Sequence, residues 1–383
     1  MLPRQRRLPQ RIIRNMRTAV VILNWNTKEY LERFLPGLLA SATEGVEIIV
    51  ADSASTDGSM EMLSEKFPTV RQIRLDKNYG FTGGYNRAFK AVCELPDAGD
   101  LEYFVLINSD IEVPQDWLKP LTDWMDSHPD CAACAPKLHS WYEKDTFEYA
   151  GAAGGLLDRF GYPFCRGRVL KRVEKDNGQY DSPAKVFWAT GACLMIRKTE
   201  YSKMGGLDDR FFAHMEEIDL CWRLQLEGKS IFVVPQSVVW HLGGGTLPND
   251  SPWKLKLNYR NNLLMLQNNL AKTYSLQEVR ELTPEKAAVK ACRRARGTIF
   301  IRKCLDGCSA LVYLLTGKKD CFKAVWEAHK EFRRLEVRPD VKMIQEYADT
   351  HRRIDVPELF PEWIVPLAML KGNGIFEYLR KLI

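Results

Sequence analysis

The chain reads as an α/β protein: a mostly parallel nucleotide-binding sheet with flanking helices, followed by a helical C-terminal appendage. Three observations predict this. Short apolar runs alternate with amphipathic segments at the spacing of strand–helix–strand units, which close with right-handed crossovers. Several of those runs stop abruptly in Asn, Asp or Ser. One of them, Leu106-Ile107-Asn108-Ser109-Asp110-Ile111-Glu112, delivers carboxylates to the carboxyl edge of its sheet, where ligands of open α/β sheets collect.

Residues 18–23 form a buried strand ending at Asn24-Trp25-Asn26-Thr27. Residues 28–40 form an amphipathic helix with Leu31, Phe34, Leu35, Leu38 and Leu39 on one face. The second strand, 46–50, runs through Asp52-Ser53 into the second helix. Asp52 is placed to accept a hydrogen bond from the imide N–H of a pyrimidine base, and equally placed to cap the turn after it, with Ser55 or Asp57 as helix N-cap. A third strand at 70–75 leads into a loop from Asp76 to Asn86, which opens a helix through Cys93. Gly80, Gly83 and Gly84 in that loop permit a diphosphate or sugar to approach the backbone closely. Their spacing is not the dinucleotide fingerprint, which follows a first strand, so a Rossmann dehydrogenase is disfavoured. The fourth strand, 103–107, carries the central stretch. There Asp110 is the carboxylate best placed for a hard divalent cation, which takes one or two protein carboxylates and completes its shell with phosphate oxygens and water.

Residues 114–128 form a further helix whose Trp117, Leu118, Leu121, Trp124 and Met125 belong to the core. The stretch 139–183 is aromatic, glycine-rich and without period. Residues 185–196 restore a strand broken at Gly191-Ala192, a sign that a ligand or another backbone comes close. The segment 211–223 begins a helix reaching about 226, with Glu216, Glu217 and Asp219 in its first turn. Three acids there suit the positive end of the helix dipole. Their crowding also opposes ionisation of all three, lifting one into the range of a general base. Asp219 pairs with Arg223 four residues on, leaving Glu216 and Glu217 for chemistry. The strand at 230–240 ends in His241, followed by Gly243-Gly244-Gly245-Thr246: a structural histidine, or a ligand beside a mobile lid.

Residues 254–271 read as a helix with Asn258, Arg260, Asn261 and Asn262 on its polar positions. Beyond it, 297–319 and 363–383 mix short apolar patches with lysine and arginine. They suit a helical subdomain packed on the core, and also peripheral attachment to an anionic membrane. The division is a basic arm at 1–15 (disordered, or a start-site artefact), a catalytic unit at 16–270 and a helical region at 271–383. Charge follows it. The arm holds five arginines and no acid, residues 250–383 hold 25 basic against 16 acidic side chains, and the stretch between sums to −8. An acidic catalytic unit excludes general affinity for nucleic acid. Ten cysteines without a regular framework, and an arm lacking an apolar signal segment, point to reduced thiols in the cytoplasm. Cys131-Ala-Ala-Cys134 has no second pair at zinc spacing.

Taken together, these segments resemble the family 2 inverting glycosyltransferases of the GT-A fold, and within them the rhamnosyltransferase-like enzymes of cell-surface polysaccharide assembly. The resemblance covers about 18–270. It implies that Asn24, Asn26, Asp52, Ser53, Asn78, Gly80, Gly83, Asn86, Asn108 and Ser109 bind a UDP- or dTDP-sugar. Asn108-Ser109-Asp110 matches the D-x-D motif with Asn in place of its first Asp, so Asp110, joined by His241, holds Mg2+ or Mn2+. Glu217 stands where the family's catalytic Asp stands, with Glu216 as the alternative base. Trp188, Gly191 and Ala192 face the sugar or the acceptor. The implied acceptor is a glycan or polyprenyl-linked hydroxyl, reached from the cytoplasm or its membrane face. Two rivals share the sheet: a sugar-phosphate nucleotidyltransferase, and a non-catalytic nucleotide-sugar-binding subunit.

Overall fold

The computed structural model describes residues 15–243 and 251–382. Residues 1–14 of the basic arm, and Gly244, Gly245 and Thr246 of the expected lid, lie outside the described residues. The first half follows the sequence reading closely: β1 (Thr18–Asn24), α1 (Lys28–Ala40), β2 (Val46–Asp52), α2 (Ser59–Lys66), β3 (Arg71–Arg74), α3 (Gly80–Cys93) and β4 (Tyr103–Ile107). These strands pair in parallel as β3–β2–β1–β4, because each apolar run is followed by a helix that crosses back over the sheet.

The middle of the chain departs from the reading. After β5 (Ile111–Glu112) and α4 (Leu118–Ser127) comes β6 (Cys131–Ser140), a central strand that sequence pattern missed. It is Ala-rich, contains Pro136 and is buried almost throughout, so it shows neither alternation nor a β-branched run. Residues 155–173 build a separate antiparallel sheet from β7 (Gly155–Leu157), β8 (Pro163–Cys165), β9 (Arg168–Val169) and β10 (Arg172–Val173). The single strand expected at 185–196 is two pieces, β11 (Ala184–Lys185) and β12 (Cys193–Arg197), and Gly191-Ala192 leads into the second. Then come α5 (Lys198–Lys203), α6 (Glu216–Leu226) and β13 (Ser230–His241).

The main sheet has nine strands in the order β11-β13-β6-β12-β4-β1-β2-β3, with β5 paired to β13. Both β4 and β6 run antiparallel to β12, and β13 runs parallel to β6. Hence β1, β2, β3, β4, β6 and β13 all point one way, and their carboxyl ends meet at one edge. Strand residues alternate between two cores. Ala19 and Val21 pack with α3 and α6, whereas Val20 and Ile22 pack with α1, α2 and α4. Burial on both faces explains why these strands read as unbroken apolar runs.

The C-terminal region is helical: α7 (Pro252–Glu278), α8 (Pro284–Leu315), α9 (Lys319–Leu335), α10 (Val341–Thr350), α11 (Ile364–Lys371) and α12 (Ile375–Arg380). Pro252 at its first turn lets α7 start early, since a missing N–H costs nothing there. Leu263, Leu264, Leu266 and Leu270 of α7 share one apolar cluster with the sheet, with Ala291 of α8 and with Phe332 of α9. The chain finally returns to the small sheet, where Ile364, Leu367 and Phe376 cover Phe164 and Val169. Buried Asp158 fixes that return by accepting from the backbone N–H groups of Phe160, Tyr162 and Ile364, and burial pushes its pKa up to about 6. Among the described residues no helix is long and apolar enough to cross a membrane.

Candidate active site

At the carboxyl ends of β1 and β2, paired in register, Asn24 and Asp52 face each other. Asn24 Nδ2 donates to Asp52 Oδ1 (2.6 Å) and to Ser55 Oγ (3.0 Å), while Asp52 Oδ2 accepts from the Ser55 N–H (3.0 Å). Asp52 therefore caps its own turn. Asn26, at φ 54°, receives Thr56 N–H on its Oδ1 and gives its own N–H to Ser55. Within this knitted floor the buried Ser53 hydroxyl has no partner among the described residues.

The glycine loop becomes the first turn of α3. Asn78 Oδ1 accepts from Gly80 N–H (2.7 Å). A Cβ on Gly80, at φ +72°, would lie 2.4 Å from the carbonyl oxygen of Phe212, and one on Gly83 would lie 2.9 Å from Tyr79 Cβ. These glycines admit other parts of this chain. Asn86 calls for a correction: it donates to Leu207 O and Asp209 and accepts from Tyr201 OH and Leu207 N–H. With both amide hydrogens and both lone pairs spent, its side chain ties α3 to the 201–209 loop and has nothing left for a nucleotide.

Beyond β4, the Asn108 N–H donates to Ala192 O (2.9 Å), which fixes the turn carrying Ser109 and Asp110. The β5–β13 pairing sets Ile111 opposite His241 and brings Asp110 Oδ1 to 3.2 Å from His241 Nε2. Asn108 Nδ2 lies 3.4 Å from the same nitrogen. On the other side of the ring, Nδ1 sits 3.4 Å from Glu148 Oε2, too loosely aligned for a hydrogen bond. Burial opposes a charge on His241, but Asp110 and Glu148 outweigh it and push its pKa up to about 10. Glu148 was invisible in the aperiodic 139–183 stretch. Among the described residues no three His, Cys, Asp or Glu side chains are arranged to hold a metal by themselves. The Asp110 carboxylate, and the His241 imidazole once an arriving cation displaces its proton, fit an ion of the magnesium type whose remaining positions are filled by phosphate and water. Glu148 behind the ring suits the carboxylate that commonly orients a metal-bound histidine.

The second cluster starts α6. Phe212, His214 and Met215 all adopt left-handed backbone (φ 65°, 73° and 72°), a conformation that costs non-glycine residues roughly 1 kcal/mol or more each. The loop is gripped from α7. Asn261 Nδ2 reaches the carbonyls of Phe211 (2.9 Å), Ala213 (2.7 Å) and His214 (2.7 Å), and Arg260 Nη2 donates to Phe211 O (2.7 Å). Asp219 accepts from Arg223 (2.7 Å), as its spacing predicts, and also from Asn268 and Asn269 of α7. Among the described residues Glu216 and Glu217 are left with one unpartnered buried oxygen each. Burial pushes Glu217 up to about 7. Burial and the neighbouring Glu217 charge push Glu216 up as well. His214 moves the opposite way, to about 4, through burial and the Lys254 charge.

Gly191 joins the two clusters. A Cβ there would meet Phe81 at 3.2 Å and Glu217 Cβ at 3.7 Å, and the next carbonyl, that of Ala192, holds Asn108. Trp188 needs correction: it is buried, its indole donates to Leu156 O (2.9 Å), and its ring covers Gly155, so it is core rather than a wall of the site.

Solved structures place this architecture in the GT-A class. The fold is similar to that of GalNAc-T7, solved with UDP, GalNAc and Mn2+, at a TM-score of 0.51 and 17% identity over 70% of this chain and 52% of that one. The match spans about half of that protein and speaks for the fold. Residues 19–199 match the family model for glycosyl transferase family 2, and the chain resembles the rhamnosyltransferase-like enzymes of that family. An N-acetylglucosaminyl-diphospho-decaprenol L-rhamnosyltransferase of Mycobacterium tuberculosis is 26% identical over 258 residues, 64% of this chain and 83% of that protein. Rhamnosyltransferase WbbL of Escherichia coli K12 is 25% identical over 216 residues, 56% and 80% of the two chains.

Proposed function

We propose that the protein moves a sugar, with inversion, from a UDP or dTDP donor to a hydroxyl of a glycan or lipid-linked acceptor in surface polysaccharide assembly. The observation that carries this is the half-buried Glu217, pushed up to about 7 with one oxygen that is buried and unpartnered among the described residues, joined through Gly191 and Ala192 to the Asp110–His241 turn. Glu217 takes the proton from the acceptor hydroxyl. The freed oxygen bonds to the anomeric carbon, and the bond from that carbon to the diphosphate breaks. Asp110 and His241 would hold a divalent ion, Mg2+ or Mn2+, which would supply charge stabilisation for the leaving nucleoside diphosphate. The Asn24–Asp52 floor, with the unpartnered Ser53 hydroxyl, receives the nucleoside. The relatives' names, which specify rhamnose and a diphospho-decaprenol acceptor, support a deoxyhexose and a polyprenyl-linked acceptor.

A thermal-shift panel of UDP-, dTDP-, GDP- and CMP-sugars, with and without Mn2+, tests the reading. One pyrimidine diphosphate sugar should raise the melting temperature in a metal-dependent way. Asp110→Ala should abolish that rise, whereas Glu217→Gln should keep it and lose turnover. No shift from any donor, in protein shown to be folded, would overturn the proposal.

A further inference from the structure

The outer face of α8 carries an apolar stripe that nothing among the described residues covers. Phe300, Ile301, Leu311, Val312, Leu314 and Leu315 are all exposed, Leu315 at 77%. Cys304, Gly307 and Cys308, also exposed, fill the turns between them. At 3.6 residues per turn these positions fall within about 160° of helix circumference, and they extend for about 22 Å. Soluble chains seldom leave so contiguous an apolar surface bare unless something binds there.

The ends of the stripe identify its partner. Arg293 and Arg296 precede it on the same face, and Lys318 and Lys319 follow it directly. Between 286 and 319 the only acidic residue is Asp306, which is buried and paired with Arg302 at 2.8 Å. A second copy laid against this face, parallel or antiparallel, would set cation against cation at both ends. An anionic bilayer accepts both features: apolar side chains enter the acyl boundary while lysine and arginine reach the headgroup phosphates. The helix lies on such a surface rather than crossing it, as its apolar stripe covers one side only.

We propose that this face of α8 docks the protein on anionic phospholipid membrane. It does so independently of the metal and base assignments. Flotation of the whole protein with vesicles of mixed phosphatidylglycerol and phosphatidylethanolamine, against phosphatidylcholine alone, tests it. The protein should float with the anionic vesicles only, and less at high salt. Leu311→Glu combined with Leu315→Glu should cut the bound fraction at least about tenfold while leaving the melting temperature within a few degrees. Arg293→Gln with Arg296→Gln, on exposed side chains, should also weaken flotation. Failure of the parent protein to float, or equal flotation of both double variants, would overturn the proposal. So would a dimer in sedimentation that Leu311→Glu/Leu315→Glu dissociates.

Discussion

In the proposed reaction Glu217 is the base, and its environment makes two measurable demands. As a base it must be ionised, so kcat/KM should rise with pH through about 7 and level off above. Glu217→Gln should lower kcat by about a hundredfold or more and erase that rising limb. The same burial acts on stability. The folded pKa is raised above the unfolded one, so the stabilising contribution is complete below the unfolded value and is lost as pH climbs through about 7. Glu217→Gln should therefore melt higher than the parent at about pH 8, with the gap closing near pH 5, as calorimetry would show. Gly80 makes a separate demand on space. Gly80→Ala puts a Cβ onto Phe212 O at a left-handed backbone position, so it should cost about 1–2 kcal/mol in denaturant melts and reduce turnover by displacing the loop before α6.

At the scale of elements, α6 is delivered by a strained loop that α7 holds open. One amide, Asn261, serves three carbonyls; without it those of Ala213 and His214 lose this donor in a half-buried loop, while Phe211 keeps Arg260. Asn261→Ala should cost about 3 kcal/mol of stability and lower kcat by tenfold or more, while the KM for donor changes little. Steady-state kinetics beside urea melts separate these effects. This element also shows where sequence reading stops. The end of α6 near Leu226, its three acids and the Asp219–Arg223 pair were legible because they depend on neighbours three and four residues apart. The left-handed backbone at Phe212, His214 and Met215 was not, since it is imposed by a helix some fifty residues further on. β6 stayed hidden for a related reason: burial on both faces removes the alternation that marks a strand. Asn86 and Trp188 sat in the right segments, yet only tertiary contacts reveal that each is consumed within the fold.

At the scale of the molecule, α7 passes without interruption across residue 270, where composition suggested a boundary, and its leucines share one apolar cluster with sheet and later helices. Lys256 and Arg260 of α7 both pair with Glu331 of α9, at 2.7 and 3.0 Å. A chain ending at Glu278 should therefore fail to fold, giving no cooperative thermal transition and broad amide resonances, because α7 would lose its cover from α8 and α9. The parallel order of the first strands was readable from alternation alone. The reversal at β12 was not, because strand direction depends on partners far apart in sequence.

The grip of Asn261 on the base-bearing loop bears on how such enzymes diverge. In the proposed reaction donor preference rests with side chains at the ends of β1 and β2, while the posture of Glu217 is set by α7, which packs on the same face of the sheet as α6. Substitutions accumulating along α7 would alter speed and leave nucleotide choice intact, so the two traits can be inherited and selected separately.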